Sequence, residues 1–385
     1  MKRFLFVVPP LAGHVNPTVS VARKLEARGH RVAWAAPTQG ARHLLPDGAE
    51  FLPLDDDGAE QVSRRYLDRA KRVRGLESLQ FLWQDMLLPL AQSMLPRLLG
   101  AMAAYAPDVV VADHQAIAGA LAARRIGVRF ATFCTTSASI VDPVADLPKV
   151  KRWIEGHVAS LEKEAGLTPS PSPDMSPSLV VVFSTHALVG LDRVWPEHFR
   201  FVGPSIQDRP DATPFPWDAL ADKPRIFVSL GTISADVGAQ FYATAARALG
   251  ALDVQVILAA PPALLPHPPS NFIVRERVPQ LEILPHVQAV VCHAGHNTVC
   301  EALANGLPLV VAPIRDDQPV VAQQVVRAGA GTRVRYGHLS PHSLRNAVVR
   351  VLAEPNFRGA AARIRDSFDA AGGAPAAADA LEAMA

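Results

Sequence analysis

Residues 3–36 read RFLFVVPPLAGHVNPTVSVARKLEARGHRVAWAA. An unbroken apolar run, Phe4–Val8, leads into a loop of Pro, Gly, His and Asn; a helical pattern then spans Pro17–Arg28, breaks at Gly29, and gives way to a second apolar run, Arg31–Ala36. Strands that are apolar on both faces and alternate with helices belong to a parallel sheet covered on both sides. Outward from this unit, a long helical stretch over Ala59–Ala104 precedes a third strand, Asp108–Ala112, which ends at Asp113. Another strand, Phe130–Thr135, follows Gly127.

Prolines then cluster. Residues 170–177, SPSPDMSP, read as a mobile loop, and residues 203–216, GPSIQDRPDATPFP, as a polar linker. The pattern restarts with strands at Arg225–Leu230, Val254–Ala259, Ala289–Cys292 and Leu309–Ala312 and helices between them. The expected architecture is therefore α/β with two parallel-sheet domains facing a cleft, the default place for a ligand. The boundaries read as 1–203 for the first domain, 204–222 for the linker and 223–360 for the second domain. A helical tail over 361–385, broken at Gly372-Gly373, is placed to pack back on the first domain.

Composition narrows the function. The chain has 385 residues, of which 49% are apolar, and 38 basic against 36 acidic side chains. That near-balance carries no polyanion signature, so nucleic acid is not an expected partner. Three scattered cysteines, Cys134, Cys292 and Cys300, make neither a disulfide framework nor a zinc site and suit a reducing, cytoplasmic setting. The apolar run after Lys2-Arg3 is too short for a secretory leader. No stretch reads as a membrane span, since the best, Leu87–Ala104, contains Gln92, Ser93, Arg97 and two prolines. Monomer and homodimer both remain open.

Two strand-to-helix junctions in the second half, residues 229–232 (SLGT) and 293–298 (HAGHNT), would aim backbone N–H groups at an anion, and two together suit a diphosphate. Either junction alone is as well explained by tight turns and helix caps. Neither is a GxGxxG or a P-loop.

The longer pattern is more specific. Residues 278–286 (VPQLEILPH), 293–301 (HAGHNTVCE) and 313–318 (PIRDDQ) stand in order, supported by residues 13–17 (GHVNP) and 230–232 (LGT). Together they closely resemble the signature of the UGT-type (family 1) nucleotide-sugar glycosyltransferases, which include bacterial macrolide and antibiotic enzymes. The resemblance spans nearly the whole chain and implies a GT-B fold. It implies a donor set in which His293 meets the phosphate, Gly231, Thr232, Gly295, Asn297 and Thr298 surround the diphosphate, and Glu301 holds the ribose hydroxyls. Val278 and Gln280 lie by the base and nucleoside, while Asp317 and Gln318 bind the sugar hydroxyls. Arg277 stands where many relatives carry a tryptophan on uracil; a guanidinium also stacks on a base. Ala294 replaces a common glycine, which reads as mild because both are small. His296 reads as structural or sugar-proximal.

His14, read as lying in the strand-to-helix loop, is chemically suited to act as a base near neutral pH, and Asp113, at the end of a neighbouring strand, could orient it. The resemblance assigns both to a catalytic dyad. Phe81, Trp83, Met86 and Leu87 are candidates to line an acceptor pocket, with ordinary core an equal alternative. Asp55-Asp-Asp57 reads as a solvated turn rather than a metal motif, and the basic run Arg64–Arg74 as a solvated helix face. The expected activity is inverting transfer from a UDP- or TDP-sugar to a small, largely apolar acceptor, without metal. The alternatives are a nucleotide-sugar epimerase or hydrolase, and a non-catalytic nucleotide-sugar-binding helper.

Overall fold

The computed structural model describes residues 1–55, 73, 75–141, 147–190, 194–206, 213–231 and 238–385. Asp56, Asp57, the basic side chains Arg64 to Arg74 and Thr232 lie outside the described residues. The chain forms two compact units. One comprises Met1–Thr185, Arg193–Gln207 and Ala371–Ala385, the other His186–Asp192 and Asp208–Ala370.

The first unit is built on a parallel sheet of β1 (Arg3–Val7), β2 (Arg31–Ala36), β3 (Glu50–Pro53), β4 (Val109–Asp113), β5 (Phe130–Cys134), β6 (Val180–Val182) and β7 (Phe199–Phe201), in the order β3-β2-β1-β4-β5-β6-β7. Its two faces are both buried, as the unbroken apolar runs require. Leu5, Val7, Ala33 and Val110 pack on one side with the helices α2 (Leu88–Tyr105) and α3 (Ile117–Ile126). Phe4, Phe6, Trp34 and Phe133 pack on the other. Side chains of this size each contribute about 1.5–3 kcal/mol on burial, so the alternation along β1 commits its register to both faces.

Helix α1 spans Ala12–Ala27 and so begins before the expected Pro17. The first turn closes through Val15 N–H to the Leu11 carbonyl at 3.0 Å, and Pro17 is accommodated inside the helix. His14 therefore sits in the first helical turn, not in a loop.

The 170–177 stretch is pinned rather than mobile. Thr132 Oγ1 donates to the Asp174 carbonyl at 2.6 Å, Ser176 N–H donates to Thr132 Oγ1 at 2.9 Å, and Ser170 N–H reaches both carboxylate oxygens of buried Glu162 at 3.1 Å. Serines among prolines looked like linker composition, but their donors and acceptors close onto the core.

The second unit carries β8 (Arg225–Ser229), β9 (Gln255–Ala259), β10 (Phe272–Arg275), β11 (Ala289–Cys292), β12 (Leu309–Val311) and β13 (Gly331–Arg333), all parallel, in the order β10-β9-β8-β11-β12-β13. In both sheets the order reverses beside the first strand, between β1 and β4 and between β8 and β11. Loops leaving the carboxyl ends at such a reversal diverge and open a crevice. The C-terminal helices are divided between the units: α6 (Pro355–Ala371) lies almost wholly in the second, and α7 (Gly373–Met384) packs on α1 in the first. No helix among the described residues is long and apolar enough to cross a membrane.

Candidate active site

In the first unit the strand reversal brings His14, just beyond β1, against Asp113, the last residue of β4. His14 Nδ1 lies 3.0 Å from Asp113 Oδ1 and 2.9 Å from Oδ2. A carboxylate only accepts, so Nδ1 carries a proton, and in the neutral ring Nε2 then keeps its lone pair. Asp113 is buried, and burial alone would raise its pKa. The neighbouring His14 and His114 rings, with the hydrogen bonds from His14 and the Gln115 backbone, outweigh that and hold it below the ordinary carboxylate value. The Gln115 N–H donates to Oδ1 at 2.8 Å, and Thr135 Oγ1 donates to Oδ2 at 2.7 Å.

Sequence reasoning missed Thr135, His114 and the Gln115 amide. His114 Nδ1 is 3.6 Å from Asp113 Oδ1, and its ring centroid is 5.5 Å from that of His14. Among the described residues, His14, Asp113 and His114 form a group with ligand atoms within 4.8 Å of one another, close enough to hold a metal ion.

The acceptor candidates divide. Leu87 joins the main core beneath the sheet and Trp83 packs against it. Phe81 and Met86 instead form a small cluster with Val73, against which Leu11, the residue before α1, is packed. Trp83, Met86 and Leu87 lie in a π-helical segment, Leu82–Leu87, an uncommon form frequent at functional sites.

In the second unit the same construction recurs across β8 and β11. His293 follows β11, and its ring is wedged between two glycines. A methyl on Gly231 would lie 2.6 Å from the ring Cε1, and one on Gly295 would overlap Nε2. Gly231 also has φ +71°, so it needs glycine twice over. Burial lowers the His293 pKa to about 4; Asp317 opposes that shift, Arg315 reinforces it, and a bond to the Ser229 backbone opposes it. Its Nδ1 is buried without a hydrogen-bond partner, the state of an atom positioned for a ligand.

Helix α4 (His296–Ala304) starts beside this ring. Asn297 and Thr298, both partly buried, stand in its first turn, and Gly295 is the residue before it. Glu301, on the same helix, accepts a hydrogen bond from Gln280 Nε2, so two predicted residues meet. His296 is buried with Nε2 3.4 Å from Cys300 Sγ, a packing position. Ala294 has φ +66°. The family glycine there answers a left-handed backbone rather than a need for small size, so the substitution is less mild than its volume suggests.

Asp317 immediately precedes α5 (Gln318–Arg327). Gln318 Oε1 accepts from the N–H groups of Ile314 and Arg315 at 2.9 and 3.1 Å, holding the loop and leaving its NH₂ end as a donor. Arg315, whose side chain is buried, was not singled out from the sequence. Arg277 is exposed and Val278 half-buried.

Residues 244–384 match the family described as erythromycin biosynthesis protein CIII-like, C-terminal domain. The 4'-demethylrebeccamycin synthase of Lentzea aerocolonigenes is 29% identical over 99% of this chain and 99% of its own length. Demethyllactenocin mycarosyltransferase of Streptomyces fradiae is 29% identical over all of this chain (100%) and 87% of its own. The solved structure of the glycotransferase of kitacinnamycin is similar with a TM-score of 0.79 at 26% identity, covering 99% of this chain and 98% of that one. The fold is GT-B, and these likenesses support a family 1 (UGT-type) natural-product glycosyltransferase.

Proposed function

We propose that the chain is an inverting glycosyltransferase that moves a sugar from a UDP- or TDP-sugar to a hydroxyl of a small, largely apolar natural product. The His14–Asp113 contact carries this reading. With Nδ1–H given to a buried carboxylate, Nε2 is a base able to take the acceptor proton as the oxygen attacks the anomeric carbon. Asp113 stays ionised and stabilises the imidazolium that forms. Inversion follows if attack comes from the face opposite the departing diphosphate.

The second unit supplies the donor contacts. Negative charge grows on the leaving diphosphate, and His293, Gly231, Thr232, Gly295, Asn297, Thr298 and the start of α4 stabilise it. At its low pKa His293 is neutral with a single N–H, so it donates to the phosphate only when Nδ1 carries that proton in place of the nitrogen bonded to the Ser229 backbone. Glu301, with Gln280, meets the ribose; Arg277 and Val278 meet the base; Asp317 and the Gln318 amide meet the sugar hydroxyls. Phe81 and Met86, packed near the start of α1, are the favoured acceptor contacts of the four apolar candidates. Leaving-group stabilisation by the protein alone makes the reaction metal-independent, which predicts full activity in excess chelator.

His14→Ala tests the reading. Transfer to acceptor should be abolished while nucleoside-diphosphate affinity, measured by titration calorimetry, stays within about twofold, since the residue acts only in the reaction step. Turnover unchanged by the substitution would remove the base assignment. Release of free sugar in place of glycosylated acceptor would favour hydrolysis.

A further inference from the structure

Two imidazoles flank Asp113, and Nδ1 of the second, His114, also lies 3.4 Å from the Phe133 carbonyl oxygen. His14 lies 2.9–3.0 Å from the Asp113 oxygens and His114 3.6 Å from Oδ1. A free carboxylate rotates readily about its last bond, and a turn toward His114 would cost His14 its second contact. Two donors oppose that turn, one on each oxygen: the Gln115 N–H on Oδ1 and the Thr135 hydroxyl on Oδ2. The backbone donor is fixed by the chain. The Thr135 hydroxyl is the side-chain lock.

Thr135 is placed for this by the sheet. β5 pairs with β4 so that Asp113 stands beside Phe133, and Thr135, 2% exposed, lies two residues further on, across the end of the strand. Its Oγ1 is also 2.8 Å from His14 Nδ1. The hydroxyl has one proton, which goes to the carboxylate because a carboxylate cannot donate. Its lone pair then faces Nδ1 and accepts the same N–H that Asp113 accepts. Nδ1 is thereby ringed by acceptors.

We propose that Thr135 is a positioning residue of the His14–Asp113 pair: its hydroxyl fixes the plane of the Asp113 carboxylate on His14 and completes the acceptor set that keeps the proton on Nδ1. The role rests on the transferase reading for its kinetic effect, but not for its effect on the imidazole tautomer.

The test uses Thr135→Val, which keeps the shape and removes the hydroxyl, and Thr135→Ser, which restores it. Nitrogen-15 spectra of His14, assigned with His14→Gln, report the tautomer without substrate. In the wild type and Thr135→Ser the Nδ1–H form should dominate, and in Thr135→Val the Nε2–H form should become visible. For transfer, Thr135→Val should lower kcat about tenfold or more with donor KM within about twofold, and Thr135→Ser should recover most of it. A shifted tautomer in an enzyme that transfers no sugar would uphold the positioning role and sink the transferase reading. An unshifted tautomer with unchanged kcat would overturn the proposal, as would a raised donor KM with intact kcat, which would make Thr135 a substrate contact. Should Thr135→Val not fold, Thr135→Ala carries the same expectations.

Discussion

At the scale of single residues, the loop before α4 stores two measurable costs. His293 titrates at about 4 in the folded chain, well below the ~6.5 of an unfolded imidazole. The unfolded chain therefore takes up the proton first, so stability is complete above pH ~6.5 and declines as the pH falls toward 4. A gap of that width is worth at most about 3 kcal/mol, less whatever water reaches the ring. In urea unfolding, the stability difference between wild type and His293→Asn should shift against the wild type by up to that amount between pH 7 and 4. A pH-independent difference would mean the ring titrates normally. The second cost is Ala294 at φ +66°. A left-handed alanine costs about 1–2 kcal/mol, while a glycine loses ~0.5–1 kcal/mol in backbone entropy plus the buried methyl. The terms nearly cancel, so Ala294→Gly should leave stability unchanged within about 1 kcal/mol. A loss beyond 2 kcal/mol would refute the account. His14 and Asp113 were legible because the first follows β1 within a recognisable pattern and the second ends β4. Thr135 was not: it stands in a run of hydroxyl residues, 135–137, and its partners are 22 and 121 residues away.

At the scale of elements, the interior strands were readable and the outer ones were not. β2 and β11 have the limits expected from their apolar runs, β5, β8, β9 and β12 differ by a residue at one end, and β1 and β4 are shifted by a residue at both. β3, β6, β7, β10 and β13 are three to four residues long and lie toward the sheet edges, too short to show a period. The start of α1 was misplaced because proline suits a first helical turn, so Pro17 looked like a beginning. Helix α7 shows which force holds an element in place. Its Ala374, Ala377, Ala378 and Leu381 join Val15, Val19 and Ala22 of α1, behind the turn that carries His14. Around them Arg28 pairs with Asp379 at 2.7 Å and with Glu382, and His30 Nε2 lies 2.7 Å from Glu382. Exposed pairs are worth about 0–1 kcal/mol, whereas emptying a buried leucine site costs ~2–5 kcal/mol. Leu381→Ala should therefore lower the urea midpoint of the first unit clearly, and Glu382→Gln should barely move it. The reverse ranking would make the ion pairs the anchor.

At the scale of the whole molecule, the proposed work is divided along the chain's own division into two cores. Every proposed donor contact lies in the second unit, while the proposed base, His14, and Thr135 lie in the first. A nucleoside diphosphate should therefore stabilise one core by mass action and act on the other only through whatever coupling the units have. At a hundredfold excess over Kd the gain is about 2.7 kcal/mol, or roughly 5–10 °C in Tm for a body of this size. Calorimetry can assign the transitions, because Leu381→Ala should lower the one belonging to the first unit. With that variant separating them, UDP or TDP should raise the other transition, and the larger rise names the preferred base, a choice in which exposed Arg277 would take part. Glu301→Ala should shrink the rise for either nucleotide, and Asp317→Ala should shrink it only when the sugar is attached. A nucleotide that moved the Leu381-sensitive transition alone would place the donor on the wrong core, and the assignments of His293, Glu301 and Asp317 would fall together.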